Sequence, residues 1–183
     1  MFLNHLQMLY LPYTVIDIGW WYHISLPRHS SGRIDAIASP FDNWVAGDGT
    51  VISGMTDLRD IGKYIACIIA HPRTLNHKVL AYTELKSQNE VYDLIEKLSG
   101  EKVRRKHSSA DEIEAEMVKA KDDKANIHRL SVLQYRKSWA SEDLDPDLTV
   151  TSFEAFCNEA LEGKVDSIYA KQKREAIGAA WRK

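Results

Sequence analysis

The chain has 183 residues, of which 44% are hydrophobic and 27% charged, and its formal net charge is −2. This length corresponds to about one domain, so we expect residues 1–183 to form a single domain. The near-zero charge argues against direct binding of nucleic acid, and the aromatic and branched content argues against disorder. Two cysteines, Cys67 and Cys157, cannot form a disulfide framework, and no Asn-x-Ser/Thr acceptor occurs. We therefore expect a reducing, cytoplasmic location.

The beginning of the chain has no basic segment and no small-residue cleavage site, so we do not expect a signal peptide. The apolar stretch 6–26 is long enough to span a bilayer. Four residues interrupt it that a membrane helix disfavours: Gln7, Pro12, Asp17 and His23. We predict that it forms a buried strand and a pocket, without a membrane partner.

Charged residues are unevenly distributed. Residues 1–82 contain six Lys/Arg and six Asp/Glu, whereas residues 83–183 contain eighteen and twenty. The first part is typical of a sheet core with a pocket, and the second of mostly helical, solvated structure. Neither part has a net sign, so no electrostatic partner is implied.

The first predicted elements are strands and turns. Residues 13–18 (YTVIDI) lie between Pro12 and Gly19 and predict a buried strand. An aromatic cluster follows directly at 20–22. Further along, 44–46 and 51–55 flank Gly47-Asp48-Gly49, which predicts a hairpin or a tight loop.

Two helices are predicted in the middle of the chain, with a strand at 78–82 between them. Four apolar residues recur at spacings of three and four: Leu58, Ile61, Ile65 and Ile68. Asp57 is the predicted N-cap with Asp60 in the first turn, and Pro72 ends this helix. Ser87–Glu90 predicts a capping box for the second helix, with Gly100 at its C-cap.

The capping pattern recurs at Ser109–Glu112 and Thr151–Glu154. The order strand–helix–strand–helix without disulfides indicates an α/β fold with a helical C-terminal part.

The sequence contains few of the spacings that catalytic and ligand-binding motifs require. The nine glycines form no G-x-G-x-x-G, G-x-x-G-x-x-G or P-loop, and Gly47-x-Gly49 is better explained as a turn. The seven histidines form no metal-binding spacing, and no G-x-S-x-G is present. Two Tyr-x-x-x-Lys spacings, Tyr82–Lys86 and Tyr169–Lys173, are explained by coincidence. We predict no catalytic residue and no metal ligand, and a solvated strand end at 104–107.

Gly19, Trp20, Trp21 and Tyr22 form the candidate site, directly after the predicted buried strand. Ligands of open α/β sheets bind beyond the carboxyl ends of the strands, and flat side chains suit an aromatic substrate or a nicotinamide. In the alternative interpretation, the two tryptophans fill the core or an interface.

Six segments in collinear order resemble the NmrA-like, isoflavone reductase-like family of atypical short-chain dehydrogenase/reductases. The segments are LPYTVIDIGWW (11–21), GDG (47–49), TDLRDIGKYIA (56–66), HPRTLNHKVLAY (71–82), QNEVYDLIEKLSGEKV (88–103) and DPDLTVTSFEAF (145–156). The resemblance implies the C-terminal portion of that Rossmann-like fold, with the dinucleotide-binding half and the reductases' catalytic lysine lying ahead of it.

By this resemblance, Gly19 and Trp20 approach an NADP(H) or NAD(H) cofactor, while Trp20, Trp21 and Tyr22 bind a small aromatic or conjugated substrate. We expect an NAD(P)H-dependent oxidoreductase portion that binds cofactor weakly and is inactive as an isolated chain. The alternatives are a dinucleotide-sensing regulator of the NmrA type and a truncated or degenerate paralogue. A sheet that lacks half its strands would also leave an exposed edge through which copies could associate.

Overall fold

Short helices and strands alternate along the chain in a computed structural model that describes residues 2–34, 43–109 and 148–168, with 111, 112 and 115. The helices are α1 (Phe2–Met8), α2 (Tyr22–Ser25), α3 (Ile61–Ala70), α4 (Gln88–Ser99) and α5 (Phe153–Leu161). The strands are β1 (Val15–Asp17), β2 (Trp20–Trp21), β3 (Trp44–Ala46), β4 (Ser53–Thr56), β5 (Lys78–Leu80), β6 (Glu84–Lys86) and β7 (Lys106–Ser108). Two 3₁₀ turns lie at Leu58–Asp60 and Pro72–Thr74.

The described strands form three small sheets. Strand β1 pairs in parallel with β5, and β3 pairs in parallel with β7. Strand β4 lies between β2, which is parallel to it, and β6, which is antiparallel to it. Parallel pairs joined through helices are typical of α/β proteins, and the predicted α/β fold is confirmed.

The Gly47–Gly49 segment is a tight turn, and the hairpin interpretation is wrong. The amide of Gly49 donates to the carbonyl of Ala46, and the Asp48 carboxylate accepts from the amide of Thr50. The flanking strands β3 and β4 lie in different sheets. The turn therefore carries the chain from one sheet to another, which local turn chemistry cannot distinguish from a hairpin.

Helix α4 has the predicted ends. The Ser87 hydroxyl accepts from the amide of Glu90, whose carboxylate accepts from the amide of Ser87, so the capping box is confirmed. Gly100 ends the helix in the left-handed conformation. The same reciprocal pair of hydrogen bonds joins Ser109 and Glu112.

The cap predicted at Thr151 is wrong by one residue. The cap of α5 is Ser152, whose hydroxyl accepts from the amide of Ala155. Thr151 is also a good capping residue, so the local pattern fits either position. The backbone amide of Thr151 is instead hydrogen-bonded to Asp60.

The helix predicted from Asp57 begins with a 3₁₀ turn, and only its later part is α-helical. Asp57 does cap the turn, because its carboxylate accepts from the amide of Arg59. Ile68 is buried, but Ile65 is 39% exposed, so the four predicted apolar positions do not form one buried face. The helix ends at Ala70, two residues before Pro72.

The core lies where α2, α4 and α5 meet. Its aromatic centre is Tyr22, Phe153 and Phe156, all fully buried. Val91 and Ile95 of α4 pack into the same cluster. Within the described part of the chain, no helix is long and apolar enough to cross a bilayer.

Candidate functional site

A close approach of two glycines forms the first half of the predicted site. Gly19 has φ +60, and a Cβ on it would lie 2.4 Å from the carbonyl oxygen of Gly54 in β4. The Asp17 carboxylate accepts from the amide of Gly19 at 3.0 Å. Glycine allows both the left-handed backbone and the contact with the neighbouring strand. The chain can therefore leave β1 and enter β2, which belongs to another sheet.

The structure places the three predicted aromatic residues in two environments. Trp20 and Trp21 form β2, in register with Met55 and Thr56, and both are half-buried. Tyr22 is fully buried, with its ring 5.0 Å from that of Phe153 in an edge-on arrangement.

The hydroxyl of Tyr22 donates to the carbonyl of Thr151 at 3.2 Å, and burial raises its pKa. A neutral phenol in this position suits a hydrogen-bonded core residue. Tyr22 therefore supports the site from inside the core, while the indole rings of Trp20 and Trp21 are partly exposed.

An ion pair between a buried carboxylate and a half-exposed guanidinium lies beside this aromatic group. The carboxylate of Asp57 is fully buried and accepts from Nε and Nη2 of Arg59, at 3.0 and 2.6 Å. Arg59 also donates to Glu159 of α5 at 2.7 Å and lies over the ring of Phe156. The hydrogen bonds to Asp57 and Glu159 raise the pKa of Arg59. This guanidinium therefore links the 3₁₀ turn to α5.

Asp60 joins the same turn to the segment ahead of α5. Its carboxylate accepts from the amide of Thr151 at 2.6 Å and pairs with the Lys63 ammonium at 2.6 Å. Lys63 also donates to the carbonyl of Thr149. Burial raises the pKa of Asp60, but the hydrogen bonds from Lys63 and Thr151 outweigh this and hold the pKa below its usual range.

A third carboxylate holds the first turn of α5. Oε1 of Glu84 in β6 accepts from the amide of Phe153 at 2.7 Å, and its other oxygen pairs with Lys86. A carboxylate at a helix N-terminus satisfies a free amide and opposes the positive end of the helix dipole. Glu84 and Asp60 therefore fix the position of α5 against the aromatic residues after β1.

His23 is the polar side chain that the sequence arguments missed. It is 5% exposed, its ring lies 4.8 Å from that of Phe156, and its Nδ1 has no hydrogen-bond partner among the described residues. In the sequence, His23 stands out only as a residue that interrupts the apolar stretch 6–26, which does not place it at the site. Asp57 was predicted only as a cap and its pairing with Arg59 was not predicted, because spacing does not reveal burial.

The remaining candidates do not gather at this site. Tyr82 and Lys86 are not on a helix, because Lys86 ends β6 and Tyr82 precedes that strand. Tyr169 and Lys173 lie outside the described residues. The predicted solvated end at 104–107 leads into β7, where Lys106 and His107 are exposed.

The described residues do not fit a complete dinucleotide site. The Gly19 backbone faces the carbonyl of Gly54, so the space left by its missing side chain is taken by a neighbouring strand and not by a diphosphate. Among the residues that the structure covers, no group of three His, Cys, Asp or Glu could hold a metal ion.

Comparison with known proteins gives one curated relative. The chain is 39% identical over 188 residues to the asnovolin J 5',6'-dehydrogenase nvfM of Aspergillus novofumigatus. The match covers 88% of this chain and 57% of that protein. The chain therefore spans little more than half the length of the relative. No protein-family model matches the chain.

Solved structures of plant-type reductases share the fold. An isoflavone reductase superposes with a TM-score of 0.68 at 20% identity, over 85% of this chain and 55% of its own. A leucoanthocyanidin reductase from Vitis vinifera with NADPH gives a TM-score of 0.67 at 17% identity, and the match covers 87% of this chain and 55% of that protein. AtPrR2 with NADP⁺ and (+)-pinoresinol gives a TM-score of 0.63 at 17% identity, and the match covers 88% of this chain and 54% of that protein. The resemblance is confirmed: the chain has the fold of the isoflavone reductase-like, NmrA-like atypical short-chain dehydrogenase/reductases, over about half of their length.

Proposed function

We propose that this chain is the substrate-binding portion of a cytoplasmic NAD(P)H-dependent oxidoreductase of the isoflavone reductase-like type. The observation that carries the proposal is the half-buried pair Trp20–Trp21, which follows the carboxyl end of the parallel strand β1. Ligands of open α/β sheets bind at this end of the strands. The 39% identity to a dehydrogenase supports oxidoreductase chemistry over other uses of the fold.

The proposed substrate is an aromatic or otherwise conjugated small molecule. The indole rings of Trp20 and Trp21 provide flat apolar surface on the two faces of β2, and this strand is anchored by pairing with β4. The related proteins act on asnovolin J or bind (+)-pinoresinol, and these two compounds are suitable probes.

Gly19 and Trp20 are the proposed residues nearest to a nicotinamide. The support is positional, because both lie within three residues of the end of β1. The close contact of Gly19 with Gly54 leaves no cradle for the phosphates. We therefore expect the isolated chain to bind NADPH weakly and to turn over neither probe.

Substrate binding is tested by titrating (+)-pinoresinol and asnovolin J against the chain, with binding followed calorimetrically. Trp20→Ala should weaken binding about two- to thirteenfold, since an aromatic pair contributes about 0.5–1.5 kcal/mol beyond the area that it buries. Trp44→Ala is the control, because Trp44 is half-buried in a different sheet. Equal losses in the two variants, or no binding by the unaltered chain, would contradict the proposed substrate site.

Cofactor binding is tested separately by titrating NADPH and following tryptophan fluorescence. A dissociation constant in the micromolar range would contradict the expected weak binding. Micromolar affinity without turnover of either probe would favour a dinucleotide-sensing regulator.

Association of copies through a sheet edge is also part of the proposal. The amide of Val15 donates to the carbonyl of His77, and the carbonyl of Asp17 accepts from the amide of Ala81. These backbone groups of β1 on the side that faces β5 are therefore hydrogen-bonded. Within the described residues no strand lies on its other side. Such an edge can pair with another chain. Sedimentation of a monodisperse monomer at high concentration would contradict this association.

A further inference from the structure

Helix α5 rests on a buried histidine whose ring nitrogen is unsatisfied. The imidazole of His23 lies 4.8 Å from the ring of Phe156, and Nδ1 has no partner among the described residues. A buried polar atom without a partner is destabilising and calls for an explanation. The neutral ring tolerates burial beside Phe156, whereas a charged ring would carry an unsolvated proton at Nδ1.

Two charged groups among the described residues, Asp57 and Arg59, act on the imidazole of His23 through space. The Asp57 carboxylate already accepts three hydrogen bonds from the Arg59 guanidinium. Glu159, the acidic residue that faces this cluster from α5, is bound to the same guanidinium. An imidazolium formed here would meet a carboxylate that is already paired and a guanidinium of its own sign.

We propose that His23 is a pH-sensitive contact that releases helix α5 from the core when its ring is protonated. The only ligand that this contact requires is a proton from the solvent, taken up by the ring of His23. Release of α5 would remove the rings of Phe153 and Phe156 from Tyr22, which supports the two proposed substrate-binding tryptophans. The contact would therefore make the shape of that surface depend on pH.

The direction of the effect follows from the surroundings of the ring. Burial lowers the pKa of His23, the Asp57 carboxylate opposes this, and Arg59 adds to it. In a released state the exposed ring would titrate near its ordinary value of about 6.5. The contribution of His23 to the docking of α5 is therefore fully present above about pH 6.5, and it is lost as the pH falls towards the lowered pKa of the buried ring.

Hydrogen bonds from Lys63 and Thr151 hold the pKa of Asp60, which fixes the segment ahead of α5, below its usual range. The interval between about pH 5.5 and 7.5 therefore lies above the titration of Asp60 and covers the range in which an exposed histidine titrates.

Hydrogen–deuterium exchange of the α5 peptide across this interval tests the proposal, with rates corrected for the intrinsic effect of pH. Binding of one proton predicts up to a tenfold loss of α5 protection between about pH 7.5 and 5.5. His23→Phe keeps an aromatic ring against Phe156 and should remove the pH dependence, as should His23→Gln. His5→Gln removes an exposed histidine and should leave it intact.

A second measurement uses the buried thiol of α5. In a Cys67→Ser background, the rate at which 4,4'-dithiodipyridine labels Cys157 is divided by the rate for the urea-unfolded chain at the same pH, because the thiolate fraction itself falls with pH. This ratio should rise by the same factor and show the same dependence on His23. The proposal would be overturned if the protection of α5 in the unaltered chain did not change between the two pH values. It would also be overturned if both His23 variants lost as much α5 protection as the unaltered chain. An equal loss of protection in α3 would indicate global unfolding and would overturn it as well.

Discussion

The buried carboxylate of Asp60 accepts a 2.6 Å hydrogen bond from the backbone amide of Thr151, 91 residues further along the chain. Together with the bond from Lys63 to the carbonyl of Thr149, it fixes the segment that leads into α5. The position of α5 therefore depends on a side chain whose local role is only to begin a helix.

Replacement of this carboxylate should destabilise the fold. Asp60→Asn leaves a weaker acceptor for the amide of Thr151, and we expect a loss of about 1–3 kcal/mol in the free energy of unfolding. The ion pair with Lys63 adds little, because Lys63 is half exposed. Urea unfolding measures the effect. Asp93→Asn removes an ion pair whose carboxylate is 66% exposed, and it should change stability by less than about 0.5 kcal/mol.

The effect of Asp60→Asn should depend on pH. Because the pKa of Asp60 is lowered in the folded state, its carboxylate stabilises the fold above the pKa of an unfolded aspartate, about 3.9. This stabilisation is lost as the pH falls through the lowered pKa of the folded state. The difference in stability between the two proteins should therefore be constant near neutrality and shrink in acid. A difference that grows in acid would contradict this account of the hydrogen bond.

Substitution at Gly19 should disrupt the crossing from β1 to β2. Gly19→Ala places a Cβ 2.4 Å from the Gly54 carbonyl at a left-handed backbone position. Gly47→Ala is a matched control, because Gly47 has φ +59 and nothing within 4 Å of its added Cβ. The control should cost about 1 kcal/mol in backbone strain, and Gly19→Ala about 2 kcal/mol more. Equal losses in urea unfolding would show that the contact with Gly54 is relaxed at little cost.

The capping box of α4 should contribute measurably to stability. Ser87→Ala removes the acceptor for the amide of Glu90, and we expect a loss of about 1 kcal/mol. A double-mutant cycle with Glu90→Ala should show coupling of about 0.5 kcal/mol or more, because the two bonds are reciprocal. Ser109→Ala alters the same kind of box at an exposed position and should cost less.

The two thiols should differ in reactivity. Burial raises the pKa of Cys157 to about 12, and the residue is fully buried, whereas Cys67 in α3 is partly exposed. At pH 8 only about one Cys157 in 10⁴ would be a thiolate. One equivalent of Ellman's reagent should therefore react with the folded chain, and a second after unfolding in urea. Two fast equivalents in the folded chain would contradict the burial of α5.

Local sequence patterns determined several elements by themselves. The box at Ser87 and Glu90, the glycine at 100 and the turn at 47–49 are recognisable because their hydrogen bonds span only a few residues. The strand inside 13–18 is likewise set by its branched residues between Pro12 and Gly19. Collinear segments also revealed the reductase-type fold, because their order reflects the whole topology.

Tertiary structure alone decided which side chains meet. The sequence placed Trp20, Trp21 and Tyr22 together, but only the packing of α5 puts Tyr22 in the core, while both indoles remain half-buried. Asp57 and Asp60 have the same local appearance as capping residues. Arg59, the partner of Asp57, is held by Glu159 of α5, whereas Asp60 binds the amide of Thr151. Both arrangements depend on contacts between distant segments. Burial and long-range hydrogen bonds have no sequence period, so no local pattern could predict them.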